Sequence, residues 1–304
     1  MSPTVQPISR RSILKGAAAT AGVAALAACA PDSFDGSGIH VQRVGRVPDD
    51  DPNHHTWGAA PATTVALGPQ DMVLPQKLVP SVTEVRVRAL HDGSRIGFLL
   101  EWDDADVNDL TVRNEDFRDA CAVLLAPGEA DAALRTMGAA TIPATLLHWK
   151  ADWQRDVDFG RQGLEDVYPN RSIDVYTPLW NVAPLDVEIG SYVDAGATEW
   201  LPGLHVENPM SAAEHTTPVE KAIAYGFSTT FTAPTQDTRG RGVRTDKGWK
   251  VAISKPLGGA DEGEMAFQPG ATSTCAFAVW SGAFHDAGSR KAPSITVHAL
   301  NLAP

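Results

Sequence analysis

The chain reads as a mainly β protein, an antiparallel β-sandwich with short inserted helices and long loops. Three observations predict this. Several stretches alternate apolar and polar side chains with period two, as half-buried strands do. Short strand-like runs are separated by Gly, Pro, Asn and Asp clusters, the spacing of a sandwich rather than of βαβ units. No long amphipathic helical pattern competes with them.

Taken in order, "VTEVRVRAL", "HDGSR" and "IGFLLEW" read as a strand, a turn and a returning strand, so residues 82–102 form a β-hairpin. The acidic loop "DDADVND" follows, without the spacing of an EF-hand calcium loop. "DACAVLLAP" is a strand, "GEADAALRTMG" a helical turn or loop, and "TIPATLLHW" a strand with an early proline. Residues 155–215 are rich in Pro, Gly, Asn and Asp and read as a long excursion with little regular structure. "TTPVEKAIAYGF" reads as a short helix. "GFSTTFTAP", "GWKVAISKPL", "TSTCAFAVWSG" and "SITVHALNL" read as the closing strands.

Composition sets the outer limits. The 304 residues carry a formal charge of −12, and the region after residue 30 has no Lys/Arg-rich run, so nucleic-acid binding is excluded as a function class. The three cysteines, Cys29, Cys121 and Cys275, form no CxxC or CxxCH, which rules out covalent c-type haem and four-cysteine iron–sulfur or zinc sites. Cys121 and Cys275 sit in apolar strands and read as buried thiols, with a disulfide between them as the alternative. No G-x-G-x-x-G, P-loop or G-x-S-x-G motif is present.

The start of the chain is an address. "SRRSILKGAAATAGVAALAAC" joins two arginines to an Ala/Gly-rich apolar run too short to span a bilayer, and resembles a twin-arginine export signal ending in a lipobox. Residues 1–29 are thus read as a signal peptide, with Cys29 the lipidation site. Cleavage nearby without lipidation is the other reading. Removing residues 1–28, which hold Arg10, Arg11 and Lys15 and no acid, takes the charge to −15. A lipid on Cys29 would hold the protein at the membrane surface without spanning it. Residues 30–56 read as a polar linker, in which Asp49, Asp50, Asp51, His54 and His55 have no ordered metal-ligand spacing. Residues 57–304 read as the folded domain.

Six segments, "VRVRALHDGSRIGFLLEWDD", "FRDACAVLLAP", "MGAATIPATLLHWKADW", "NPMSAAEHTTPVEKAIAYGFSTTF", "KGWKVAISKPL" and "CAFAVWSGAFHDAGSRKAPSITVHAL", stand in the order in which they occur in the haem b-binding γ subunits of ethylbenzene dehydrogenase and its relatives. The resemblance runs from about residue 57 to 302. It implies a β-sandwich cradling one haem b, with a methionine and a lysine as axial iron ligands. Met137, in "MG" upstream of "HWKADW", matches the methionine, and Lys291, in "GSRKAPS", matches the lysine. A thioether is a soft ligand that raises the iron potential. A lysine ligates only as the neutral amine, so iron and burial must displace its proton.

Lys150, His148, His285 and His298 are the rival ligands. Trp149, Trp153 and Trp280 read as core or pocket wall, and Arg290 or Lys250 could meet propionates. The resemblance further implies a molybdopterin catalytic subunit and an iron–sulfur subunit as partners, a cytochrome as redox partner, and an electron-relay role without bond chemistry on a substrate. The twin-arginine signal and lipobox depart from what that family leads one to expect. Two rival readings are a haem-free carbohydrate- or ligand-binding lipoprotein module, with Trp57 and Trp180 as exposed stacking platforms, and a haem-free docking subunit.

Overall fold

The computed structural model describes residues 38–171 and 202–303, with residues 213, 228 and 269–271 outside the description. The signal peptide, Cys29 and Trp180 fall outside it. Thirteen strands follow in chain order: β1 Ile39–Arg43, β2 Thr63–Ala66, β3 Glu84–His91, β4 Arg95–Asp103, β5 Ala120–Pro127, β6 Ala144–Lys150, β7 Val219–Ala224, β8 Thr230–Thr232, β9 Arg239–Arg244, β10 Gly248–Pro256, β11 Ser273–Trp280, β12 Ala292–Pro293 and β13 His298–Leu302. Among the described residues four short α-helices interrupt them: α1 Asp131–Arg135, α2 Ala151–Phe159, α3 Leu164–Val167 and α4 Pro202–His205.

The strands join in one hydrogen-bonded path, β8-β7-β6-β5-β11-β13-β1-β3-β4-β10-β9, with β2 beside β3 and β12 beside β11. The path doubles back on itself, so its two halves face one another as a sandwich. Trp149 on β6 meets Trp249 on β10 at 5.0 Å and Trp102 on β4 at 6.2 Å, edge to face across the layers. The main core gathers Val41, Val87, Phe98, Leu100, Val251 and Ile253 from one half with Cys121, Val123, Leu147, Phe277 and Val279 from the other. Cys121 and Cys275 are free buried thiols.

Alternation decides the rest. On β5 and β11 the residues between those core positions are Ala120, Ala122, Leu124, Ala276, Ala278 and Trp280, and they point to the outer face, where a second apolar cluster includes α1. Both faces of these strands are therefore covered, which is why "ACAVLLA" is apolar throughout instead of alternating. A third cluster, with Val47, Trp57, Leu90 and Leu99, covers the outer face of the other half.

The β3–β4 hairpin forms with Arg86 opposite Glu101 and His91 opposite Ile96. Asp92 accepts from the Ser94 and Arg95 amides in its turn, and Gly93 holds φ +84°. Three expectations are corrected. Residues 219–224 are a strand: β7 is central between β6 and β8, and its "VEKAIA" is wholly buried, so tertiary packing overrides the helix preference of Glu, Lys and Ala. Residues 30–56 are not a linker throughout, because Ile39 and Val41 alternate inward and β1 pairs with both β13 and β3. Both of those pairings are parallel, so the sheet is mixed. The 155–215 excursion begins inside α2, which opens at Ala151 directly after β6, and it holds the short helices α3 and α4.

Candidate functional site

On the outer face of the β5-β6-β11 layer lies a cavity of about 490 Å³. Its floor is Ala122, Ala276 and Ala278, with Leu124 and Leu146 beside them. Small side chains at these outward positions leave a flat, shallow surface where larger ones would fill the space. Trp280 forms one wall, held by its Nε1–H donating to the Gly288 carbonyl at 3.0 Å. The loop 68–74 and residues 288–297 close the sides.

Met137 and Lys291, 154 residues apart in the chain, meet here. The Lys291 Nζ donates to the Met137 Sδ at 3.2 Å, and both side chains line the cavity. The ammonium also lies 5.5 Å from the Trp280 ring centre. Burial alone pushes the Lys291 pKa down to about 8, because no carboxylate stands near to hold the proton.

The rival lysine has a different setting. Lys150 Nζ pairs with Glu220 at 2.6 Å, lies over the Trp153 ring at 3.9 Å and meets the Met210 sulfur at 3.3 Å. Burial lowers the Lys150 pKa too, but there the Glu220 carboxylate works against it, a counter-charge that Lys291 lacks. His148 stacks on the far side of Trp280 at 4.7 Å. Its Nε2 is buried with no hydrogen-bond partner among the described residues, and burial holds its pKa well below the ordinary value. His285 ends a 3-10 turn with φ +55° and packs on Phe117. His298 on β13 approaches Thr296 Oγ1 at 3.4 Å. Neither His148, His285 nor His298 lines the cavity.

Of the tryptophans, Trp280 is wall, Trp149 is inner core, and Trp153 stacks on His215 at 3.9 Å in the polar cluster around Lys150. Lys250 lies on β10, 3.6 Å from Glu101 and away from the cavity. Arg290 stands next to Lys291, its Nε buried and without a hydrogen-bond partner among the described residues; Arg135 lines the cavity directly. Trp57 is buried and donates to the Asp51 carbonyl, so it offers no stacking platform. Asp49 binds Ser254 and Arg95 while Asp50 pairs with Arg46, so that acidic run is dispersed. No group of three or more His, Cys, Asp or Glu side chains converges among the described residues.

The sequence reading missed the loop that borders the cavity. Gln70 donates through its amide to the carbonyls of Val73 and Ser289, and its Oε1 accepts from the Met72 and Val73 amides. Lys77 pairs with the buried Asp286, which Ser81 also reaches at 2.6 Å. These bonds strap residues 70–81 to the 286–289 turn. Leu74 and Val79 stay largely exposed on it. The alanine floor left a signal in the sequence: Ala120 and Ala122 on β5, and Ala276 and Ala278 on β11, stand two residues apart between larger apolar side chains.

A family model described as Ethylbenzene dehydrogenase matches residues 54–292. A twin-arginine translocation signal matches residues 7–27, so the chain is exported. No helix among the described residues is long and apolar enough to cross a membrane. Among curated proteins, chlorate reductase subunit gamma of Ideonella dechloratans is 40% identical over 60 residues, 20% of this chain and 25% of that relative. The match thus spans about a quarter of the relative's length. Two solved structures cover much of the chain at low similarity. A family 9 carbohydrate-binding module from Caldicellulosiruptor kristjanssonii in complex with glucose has TM-score 0.38 and 9% identity over 87% of this chain and 95% of its own. A carbohydrate-binding protein from Bacteroides uniformis has TM-score 0.41 and 11% identity over 88% and 100%.

Proposed function

Because this chain belongs to the ethylbenzene dehydrogenase family, we propose that it is an exported haem b subunit that relays single electrons within an oxidoreductase complex. The observation that carries this reading is the meeting of Met137 sulfur and Lys291 nitrogen in an apolar cavity. The residues fit the group. The cavity volume lies in the range of cofactor sites. The alanine floor can seat a flat ring, and a soft thioether and a carboxylate-free amine converge on one point. The two side chains stand 3.2 Å apart and would part to admit a metal ion. Both are unbranched and can do so.

Met137 and Lys291 would hold the iron, and Arg135 or Arg290 would meet the propionates. Bound haem would supply a one-electron iron couple. The protein's own part is to exclude water with the alanine, leucine and tryptophan walls, to release the Lys291 proton by burial, and to offer two iron ligands from its own side chains. As a soft thioether, Met137 would favour the reduced state of a bound iron. Partners of this reading are a molybdopterin catalytic subunit and an iron–sulfur subunit, with a cytochrome beyond them. Cys29, lipidated, would keep the complex at the membrane surface on the periplasmic or cell-surface side.

Purification from a haem-competent host tests the proposal. A Soret band with reducible α and β bands is the expected result; a colourless protein after haem supplementation overturns it. Met137→Ala and Lys291→Ala are each expected to shift that spectrum. If neither does, the ligand assignment falls even where haem is bound.

A further inference from the structure

Helix α1 ends in a way that glycine usually provides. Gly138 N donates to the Ala133 carbonyl at 2.7 Å and Met137 N to the Leu134 carbonyl at 3.2 Å. This is the Schellman pattern, whose first residue past the cap adopts the left-handed conformation and is most often glycine. Here that residue is Met137, with φ +60°. Gly138 follows at φ +86°, where a Cβ would collide with the Ala224 carbonyl oxygen. The Met137 carbonyl accepts from Gly226 N at 2.9 Å, and Thr136 Oγ1 donates to the Gly138 carbonyl at 3.0 Å. The Met137 backbone is therefore tied to its own helix and to the end of β7. A residue held in a sparsely populated conformation by everything around it calls for a functional reason.

We propose that Gly138 and Gly226 are positioning residues. They hold Met137 in the left-handed conformation that presents its thioether to Lys291 across the cavity before any cofactor arrives. Without the clamp, the methionine would swing to an ordinary helix-end conformation and carry the sulfur away. A glycine at 137 would satisfy the helix end better, so the methionine is kept there against local backbone preference. The proposal rests on Met137 being an iron ligand.

The test uses the full-length chain, prepared with and without haem. Gly138→Ala is expected to lose the sulfur-to-ferric-iron charge-transfer band and to lower the reduction potential toward that of Met137→Ala. Gly226→Ala, whose Cβ would make ordinary contacts with Thr229 Oγ1 at 3.5 Å and the Gly138 carbonyl at 3.8 Å but which needs φ +129°, is expected to shift both in the same direction by less. Met137→Gly is expected to raise the thermal midpoint of the haem-free protein while abolishing the band. A folded Gly138→Ala with wild-type band and potential overturns the positioning role. If Gly138→Ala does not fold, an unshifted Gly226→Ala does so instead. A Met137→Ala protein with unshifted band and potential overturns the ligand assignment itself, and the positioning role with it.

Discussion

Lys291 is an amine with its proton only loosely held. Its folded pKa of about 8 lies below the ordinary 10.5, so the unfolded chain binds more protons than the folded one between those values. Stability of the haem-free protein should therefore rise as pH climbs from about 8 to about 10, by up to about 3 kcal/mol, and Lys291→Met should flatten that rise. Haem affinity should strengthen over the approach to pH 8 for the same reason, since iron takes only the neutral amine. Denaturant titrations and haem-transfer assays across this range check both. Asp119 behaves oppositely. Burial, with Asp104 nearby, raises it to about 6 against amide and indole donors that pull it down. The folded state then holds the extra proton between about 4 and 6, so stability should fall as pH rises through that window, and Asp119→Asn should remove the slope.

Elements carry the site through their edges and turns. The strap over residues 70–81 is fixed by Gln70 and by Lys77–Asp286, so Gln70→Ala should speed haem loss severalfold in an apomyoglobin-capture assay while shifting the melting midpoint by only a few degrees. The loop 258–266 is fixed by Glu264, which meets Lys221 at 2.7 Å and Lys255 at 3.2 Å with all three buried. Glu264→Ala would leave two buried ammonium groups short of a partner and should destabilise by about 3–5 kcal/mol in chemical denaturation.

The hairpin β3–β4 and the strands β5, β6, β10 and β11 were legible in the sequence because each has a long run of one periodicity. Strand β7 was not: Glu220 and Lys221 look like helix surface until their partners Lys150 and Glu264, distant in sequence, are seen. Strands β1, β2 and β9 are short or broken by Arg and Gly, and only their neighbours make them strands. Met137 and Lys291 were found by motif order. No local pattern reports that Lys291 lacks a counter-ion while Lys150 has one, because that difference arises only when β6 and β7 pair.

At the scale of the molecule, the cavity stands outside the main core. The face-to-face packing of the two half-sheets, with its three edge-to-face tryptophans, involves none of the alanine floor. Haem-free protein should accordingly keep its far-ultraviolet β spectrum and a cooperative melt, with haem raising the midpoint by mass action alone. Loss of all secondary structure on haem extraction would contradict this.

The doubled-back sheet has one more consequence, for manufacture. A chain bound for export in folded form must pass a quality check on its shape, and a fold whose integrity is independent of its cargo can pass that check empty. Delivery of the cargo and delivery of the protein would then be separate events.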